Sequence, residues 1–596
     1  MNIRWFVIAT LLVVLGPLAV AAEAPDPRVQ YEAKLAQVKG TADEHLALAL
    51  WCQRSELLAE MAKHLEAVIG LVPEQPKARR LLGYEKIKGA WLRGADLAKA
   101  KGHLLYHGRW LPASEIARIE SRKKRFAQLS AQRADWANAW ELKTEHFKLR
   151  SNCPAPIVQE IAVAIERCHG QLAAIFQPRK AQPIPLEIYA TQEQFMRESM
   201  RAGIPVSLGT LGYFYYGSES GIRCFYAGSL ERTLGVLFHE CTHLIIRSAY
   251  NEPPIWSNEG MAVFFEFARV SDTGLDIRSI PYDRLWHLRD QLKKGEVNLR
   301  TLVSLRGSSE FSVEYYAQGW GLIHYLLYAN NGKFMPALQK YYQQKVRRDP
   351  IGDFKAAFGA SPEELAKPWE EYIAKLEPTS VEELLAAGLA AIDDRGNAEL
   401  ALGYAKQARD KAPKDWRTIA LEGRILLRLA LLDRDQAQAE KAVEAFDAAL
   451  AIRPPAKGGK KASLRDLQID YERGLACVTA GDSARAISCA EDILERDDFN
   501  APAYRLLALA MVTASDPASR DIAEARENLK TANDLGASHE NKWVAARIAE
   551  AEGDDQAAID LLHKAASEDL FGFGAQFYQR EAMRLMMMKA VKTHTP

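Results

Sequence analysis

Two histidines four residues apart, with a glutamate directly after the first, place a demand on the chain that few folds can meet. The segment is His239-Glu240-Cys241-Thr242-His243. At 3.6 residues per turn, positions 239 and 243 lie on one helix face a turn apart, so both imidazoles can reach one ion. Glu240 comes round close to that point, where its carboxylate could hold a water. This is the HExxH arrangement of a zinc site, and it needs a third ligand from another element. Glu259, in Trp256-Ser257-Asn258-Glu259-Gly260, is the expected one, because fifteen residues separate it from His243 and allow the chain to reverse. A Glu in the first turn of a helix is also a favourable charge against the dipole. That does not account for Gly260, whose missing side chain permits close approach of the two helices.

The flanking pattern suits such a site. Leu230, Leu234, Leu237, Phe238, Cys241, Leu244 and Ile245 recur at helical spacing and would bury the motif helix, with Ser229 as its cap. Cys241 falls on the side away from both histidines, which makes it a packing residue. Upstream, 146–150 alternates like a strand, 157–176 reads as an amphipathic helix, and 184–190, 213–216 and 222–226 read as strands. A small mixed sheet leading into a buried HExxH helix is the expected result, with an edge strand open to substrate backbone.

Arg4 ahead of the apolar run Trp5 to Leu15, then Pro17 and Ala19-Val20-Ala21, reads as a cleaved export signal over residues 1–21. The run is short for a bilayer span, so a membrane partner is expected only if the signal stays uncleaved. The expected location is therefore secreted or periplasmic. Lys+Arg and Asp+Glu are equal at 77 each, so no global field favours nucleic acid. Seven cysteines with no CxxC pair are too sparse for a disulfide scaffold.

Four segments are expected. After 1–21, residues 22–137 hold a helical hairpin and a Gly/Trp-rich module with short strands. Residues 138–378 hold the metal domain. Residues 379–596 read as paired helices, with Gly481-Asp482 and Gly553-Asp554 marking equivalent turns 72 residues apart. That spacing is close to two units of 34 to 36 residues and resembles tetratricopeptide repeats, although the consensus aromatic positions are degenerate. Such arrays present a groove that usually takes a protein partner.

With His239, Glu240, His243 and Glu259-Gly260 in place, the middle third resembles the gluzincin, or peptidase MA-like, superfamily. Tyr315-Tyr316-Ala317-Gln318-Gly319-Trp320 looks like the helix that follows the metal helices in that group. The 354–372 stretch looks like its closing helices. The whole is similar to secreted planctomycete proteins of an uncharacterised gluzincin-like family. The fold expected is an α+β zincin-like domain with a small mixed sheet, followed by an all-α tetratricopeptide-like solenoid, mainly α overall. The resemblance implies an exported zinc metallopeptidase, an endopeptidase acting on a peptide or protein substrate. Zn2+ would sit on His239, His243 and Glu259, and Glu240 would act as general base toward an activated water. The group's second oxyanion donor is a phenol or imidazole on a later helix, for which Tyr316 stands first and Tyr315 and His324 follow. Two departures stand out. There is no Gly-x-Met-Glu-Asn segment, so exopeptidase action gains no support. The third-ligand helix, Glu259-Gly260-Met261-Ala262-Val263, lacks the Asp four residues on that orients a histidine in thermolysin-like enzymes. Another group would have to set that tautomer. The alternative expectation is a secreted helical-repeat scaffold in which the zincin domain is structural or inactive.

Overall fold

The computed structural model describes residues 27–594 apart from 56, 107–108, 180–182, 217–219, 251–252, 272–273, 278–279, 344–348, 455–463, 516–519, 537 and 570–572. The expected signal at 1–21 lies outside the described residues. No helix among those described is long and apolar enough to cross a membrane. The chain divides into two units, residues 1–117 and 118–596.

The first unit contains the expected helical hairpin, Ala42–Arg54 against Leu58–Leu71. Thr41 and Glu44 form a capping box at the start of the first of these helices. Two short antiparallel hairpins follow, Glu85–Ile87 with Ala90–Leu92 and Leu104–Tyr106 with Arg109–Leu111. Inside the helical pair His64 is buried and held from both sides, by Tyr31 Oη at 3.0 Å and His45 Nδ1 at 2.9 Å.

The second unit opens with a five-stranded sheet. Its strands are β1 (Trp140–Lys143), β2 (Phe147–Ser151), β3 (Ile184–Tyr189), β4 (Gly212–Tyr215) and β5 (Gly221–Phe225), in the order β1-β2-β3-β5-β4. The inner pairings β2–β3 and β3–β5 are parallel and the outer two antiparallel, so the sheet is mixed. Helix α1 (Ala155–Phe176) makes the crossover that parallel β2 and β3 require. Helix α2 (Leu230–Tyr250) carries the HExxH segment and packs between α1 and strands β4 and β5. Cys241 is buried beside Cys168 of α1, as expected of a packing residue.

Helix α3 (Ile255–Glu266) brings Glu259 back toward α2. It starts earlier than its composition suggested, at Ile255 directly after Pro254, whose φ of −58° is preset for a helix entry. Glu259 is therefore in the second turn, and the dipole alone does not explain it. Helices α4 (Tyr282–Lys294) and α5 (Glu314–Tyr328) follow, with the shorter helices Leu299–Ser304, Met335–Gln343, Pro350–Phe358 and Pro362–Lys375 packed into the same core.

Five antiparallel helix pairs follow, beginning with Val381–Asp393 and Ala398–Lys411 and ending with His539–Ala551 and Asp555–Glu568, before the closing helix Phe573–His594. Asp482 and Asp554 cap equivalent helices through the amides of Arg485 and Ala557, each after a glycine with φ near +85° (Gly481 +85°, Gly553 +84°). The chain shows no break in packing at 378. The core that holds Leu237, Phe238 and Trp256 runs on through Ala387, Ala391, Ala405 and Leu421. A separate core begins in the helix Trp416–Asp433 and runs to Leu585. The far end of the array returns to the entry of α2. Arg232 Nη1 reaches the buried Asp569 carboxylate at 3.2 Å, and the His539 ring lies against Gly228.

Candidate metal centre

The ligand atoms of His239, His243 and Glu259 lie within 4.8 Å of one another. Glu259 Oε2 stands 3.6 Å from His239 Nε2 and 3.4 Å from His243 Nε2. That oxygen is buried and has no hydrogen-bond partner among the described residues. A tetrahedron whose corners lie about 2.1 Å from a central ion has edges of about 3.4 Å. The two edges that meet at Glu259 Oε2 are close to that length, and the donor set of two imidazoles and one carboxylate suits zinc. The residues therefore fit the ion.

Charge in the cluster agrees. Burial works against a charged His239, yet the Glu259 and Glu266 carboxylates outweigh it and lift the imidazole to about 10. Burial would raise Glu259, but the two imidazoles more than offset it and hold the carboxyl far below its usual range. A site that draws positive charge onto His239 in this way is one that a divalent cation would satisfy.

Glu266 is the residue the sequence reading missed. Its Oε2 lies 3.1 Å from His239 Nδ1, so it supplies the orienting carboxylate that is absent at position 263. It sits seven residues after Glu259, two helical turns along α3, so the two carboxylates share one face. A search for an acid at either one or two turns would have found it. His243 Nδ1, by contrast, is buried without a hydrogen-bond partner.

Glu240 is held in place from the sheet. The amide N–H of Phe214, on edge strand β4, donates to Glu240 Oε2 at 2.9 Å. Burial raises the Glu240 carboxyl above its ordinary value, opposed by both imidazoles and by that amide. The Phe214 ring lies 5.2 Å from the His243 ring, centroid to centroid.

Of the later-helix donors, the structure brings Tyr316 to the centre. Its ring is 6.3 Å from that of His239, and burial, with Glu259, Glu240 and Glu266 adding, keeps its phenol protonated well beyond the usual range. Tyr315 packs on Phe311. His324 is turned into the core, where its Nδ1 shares a hydrogen bond with Tyr372 Oη at 2.7 Å among Phe264, Trp320 and Tyr328. Gly260 also departs from expectation. A Cβ there would lie 2.5 Å from the Gly319 carbonyl oxygen, so the close approach is between α3 and α5, not between α3 and the motif helix. Gly235 makes the latter approach, facing the Glu266 carbonyl of α3.

A family model described as a protein of unknown function (DUF1570) matches residues 235–351, a span that contains His239, Glu240, His243, Glu259, Glu266 and Tyr316. No curated protein matches the chain. Among solved structures, the crystal structure of the APC/C hetero-tetramer Cut9-Hcn1 is similar at 11% identity, covering 90% of this chain and 81% of that one, with a TM-score of 0.24. Yeast Tom70 is similar at 11% identity, covering 95% and 94%, with a TM-score of 0.25. Likeness at these scores carries no argument about fold or function. The mainly helical make-up and the paired-helix array rest on the chain's own structure.

Proposed function

We propose that this chain is a zinc-dependent hydrolase of peptide bonds, an endopeptidase, acting outside the cytoplasm after export through residues 1–21. The observation that carries the reading is the convergence of His239, His243 and Glu259 with a non-ligating Glu240 beside them. His239, His243 and Glu259 would hold the ion. When bound, zinc would supply a Lewis acid and bring the pKa of water toward neutrality. Glu240, fixed by the Phe214 amide, accepts a proton from the attacking water and delivers it to the leaving nitrogen. Tyr316, protonated throughout the working range, donates to the oxyanion that develops on the scissile carbonyl. A structural zinc site closed by protein ligands has no use for a carboxylate held in this position.

A second reading is favoured by the eleven helices from Val381 to His594, which contribute none of these groups. In it the chain is a helical-repeat scaffold for a protein partner, and the zincin-like domain is structural or inactive. One experiment separates the two. Glu240→Gln keeps shape and zinc but removes the proton acceptor, so casein or peptide hydrolysis should fall by about a hundredfold or more. His239→Ala and His243→Ala should each lose stoichiometric zinc. Zinc binding with no hydrolysis by the natural sequence, across a broad peptide library, would select the scaffold.

A further inference from the structure

Two arginines near the candidate metal centre, Arg247 on α2 and Arg284 on α4, each keep a buried Nε with no hydrogen-bond partner among the described residues. Arg284, in the first turn of α4, places its guanidinium 6.0 Å from the centroid of the Tyr316 ring, on the His239 side. Among the described residues its ion-pair neighbour is Asp283, whose Oδ2 is 3.9 Å from Nε and so beyond hydrogen-bond reach. Arg247 follows His243 by four residues, one turn further along the same face of α2. Its guanidinium covers the exposed ring of Tyr216 at 5.0 Å, directly after edge strand β4. Phe214 of that strand bonds Glu240. Arg247 thus lies beside the residue that follows β4, and Arg284 beside Tyr316, so a peptide crossing the centre from the end of β4 toward Tyr316 would meet one guanidinium on each side of it.

The guanidinium is a planar fork suited to carboxylate, and a partly buried one left without an acceptor gains most from an anionic ligand. We propose that Arg284 and Arg247 bind carboxylates of the substrate on the two sides of the scissile bond, which makes the substrate class acidic peptides. This rests on the hydrolase reading for its catalytic meaning, although the binding it describes can be measured without turnover.

The test uses the full chain carrying Glu240→Gln and loaded with zinc, with end-blocked peptides whose flanking residues are Glu or Gln, and reads affinity by titration. A charge-assisted pair at each end should make the doubly Glu peptide about tenfold or more tighter than its Gln counterpart. Arg284→Gln should erase the preference on one side of the central bond and Arg247→Gln on the other, with zinc content and Tm unchanged. A neutral peptide with a free C-terminal carboxylate, set against its amide, shows whether a chain end can supply one of the carboxylates. Equal affinity for Glu and Gln peptides in the Glu240→Gln protein would overturn the proposal, needs no arginine variant, and would leave both arginines as packing partners of Tyr316 and Tyr216. Preferential binding of Glu peptides with no hydrolysis by the natural sequence would instead sink the hydrolase reading and leave this one standing.

Discussion

Glu266 and Glu240 are carboxylates at the same centre with different work to do. Glu266 bonds the far nitrogen of His239 and so would fix which nitrogen faces an ion held there. Glu266→Gln should weaken zinc binding by about tenfold to a hundredfold, read by competition with a chelator. Glu240→Gln should leave that affinity nearly unchanged. Equal effects on zinc affinity would mean that Glu266 is not the orienting group. His324 carries a pH prediction. Burial holds its imidazole down at about 4, against 6.5 for the free group, so the folded state stays neutral while the unfolded chain takes up a proton. Stability from this group is therefore complete above about pH 6.5 and declines as pH falls toward 4, by up to about 3 kcal/mol. His324→Phe should lower stability at pH 7, because Tyr372 Oη loses its hydrogen-bond partner, yet flatten the decline below 6.5 in denaturant titrations.

The crossing of α3 and α5 decides where Glu259 sits. Gly260 and Gly319 face each other there, with the Gly260 Cβ position 2.5 Å from a backbone oxygen that cannot swing away. Gly260→Ala should cost about 1–3 kcal/mol through forced separation of the helices, and should also reduce zinc retention because Glu259 moves with α3. Gly403 is the control. It lies exposed within the helix Ala398–Lys411 with nothing within 4 Å of its Cβ position, so Gly403→Ala should raise stability by about 0.5–1 kcal/mol. Thermal denaturation of both variants checks the pair, and a stable Gly260→Ala protein with full zinc would contradict the packing argument.

Across the second unit, the metal domain and the first repeat helices share one core, through Leu384, Ala387, Ala391, Ala401, Tyr404 and Leu421. Ending the chain near 378 would uncover that apolar surface. The fragment 138–378 should therefore be insoluble or molten, whereas 118–596 should fold with native-like stability. Soluble yield and near-UV circular dichroism of the two fragments make the comparison. A well-ordered 138–378 fragment would show that the array contributes nothing to the metal domain's core. The contact of Arg232 with Asp569, 337 residues apart, also ties the end of the array to the start of the motif helix.

Local sequence was enough wherever a rule of short range applied. The HExxH spacing defined a helix face, and Gly481-Asp482 and Gly553-Asp554 marked repeat turns, each of which the structure contains. Four-residue and two-residue periodicities are set by backbone geometry, so they can be read without knowing the fold. Only the tertiary structure decided which acid orients His239, which helix Gly260 admits, which backbone amide holds Glu240, and that the core passes through 378 without a break. Each of these joins segments from separate elements, and such pairings depend on how layers pack rather than on any pattern within one element.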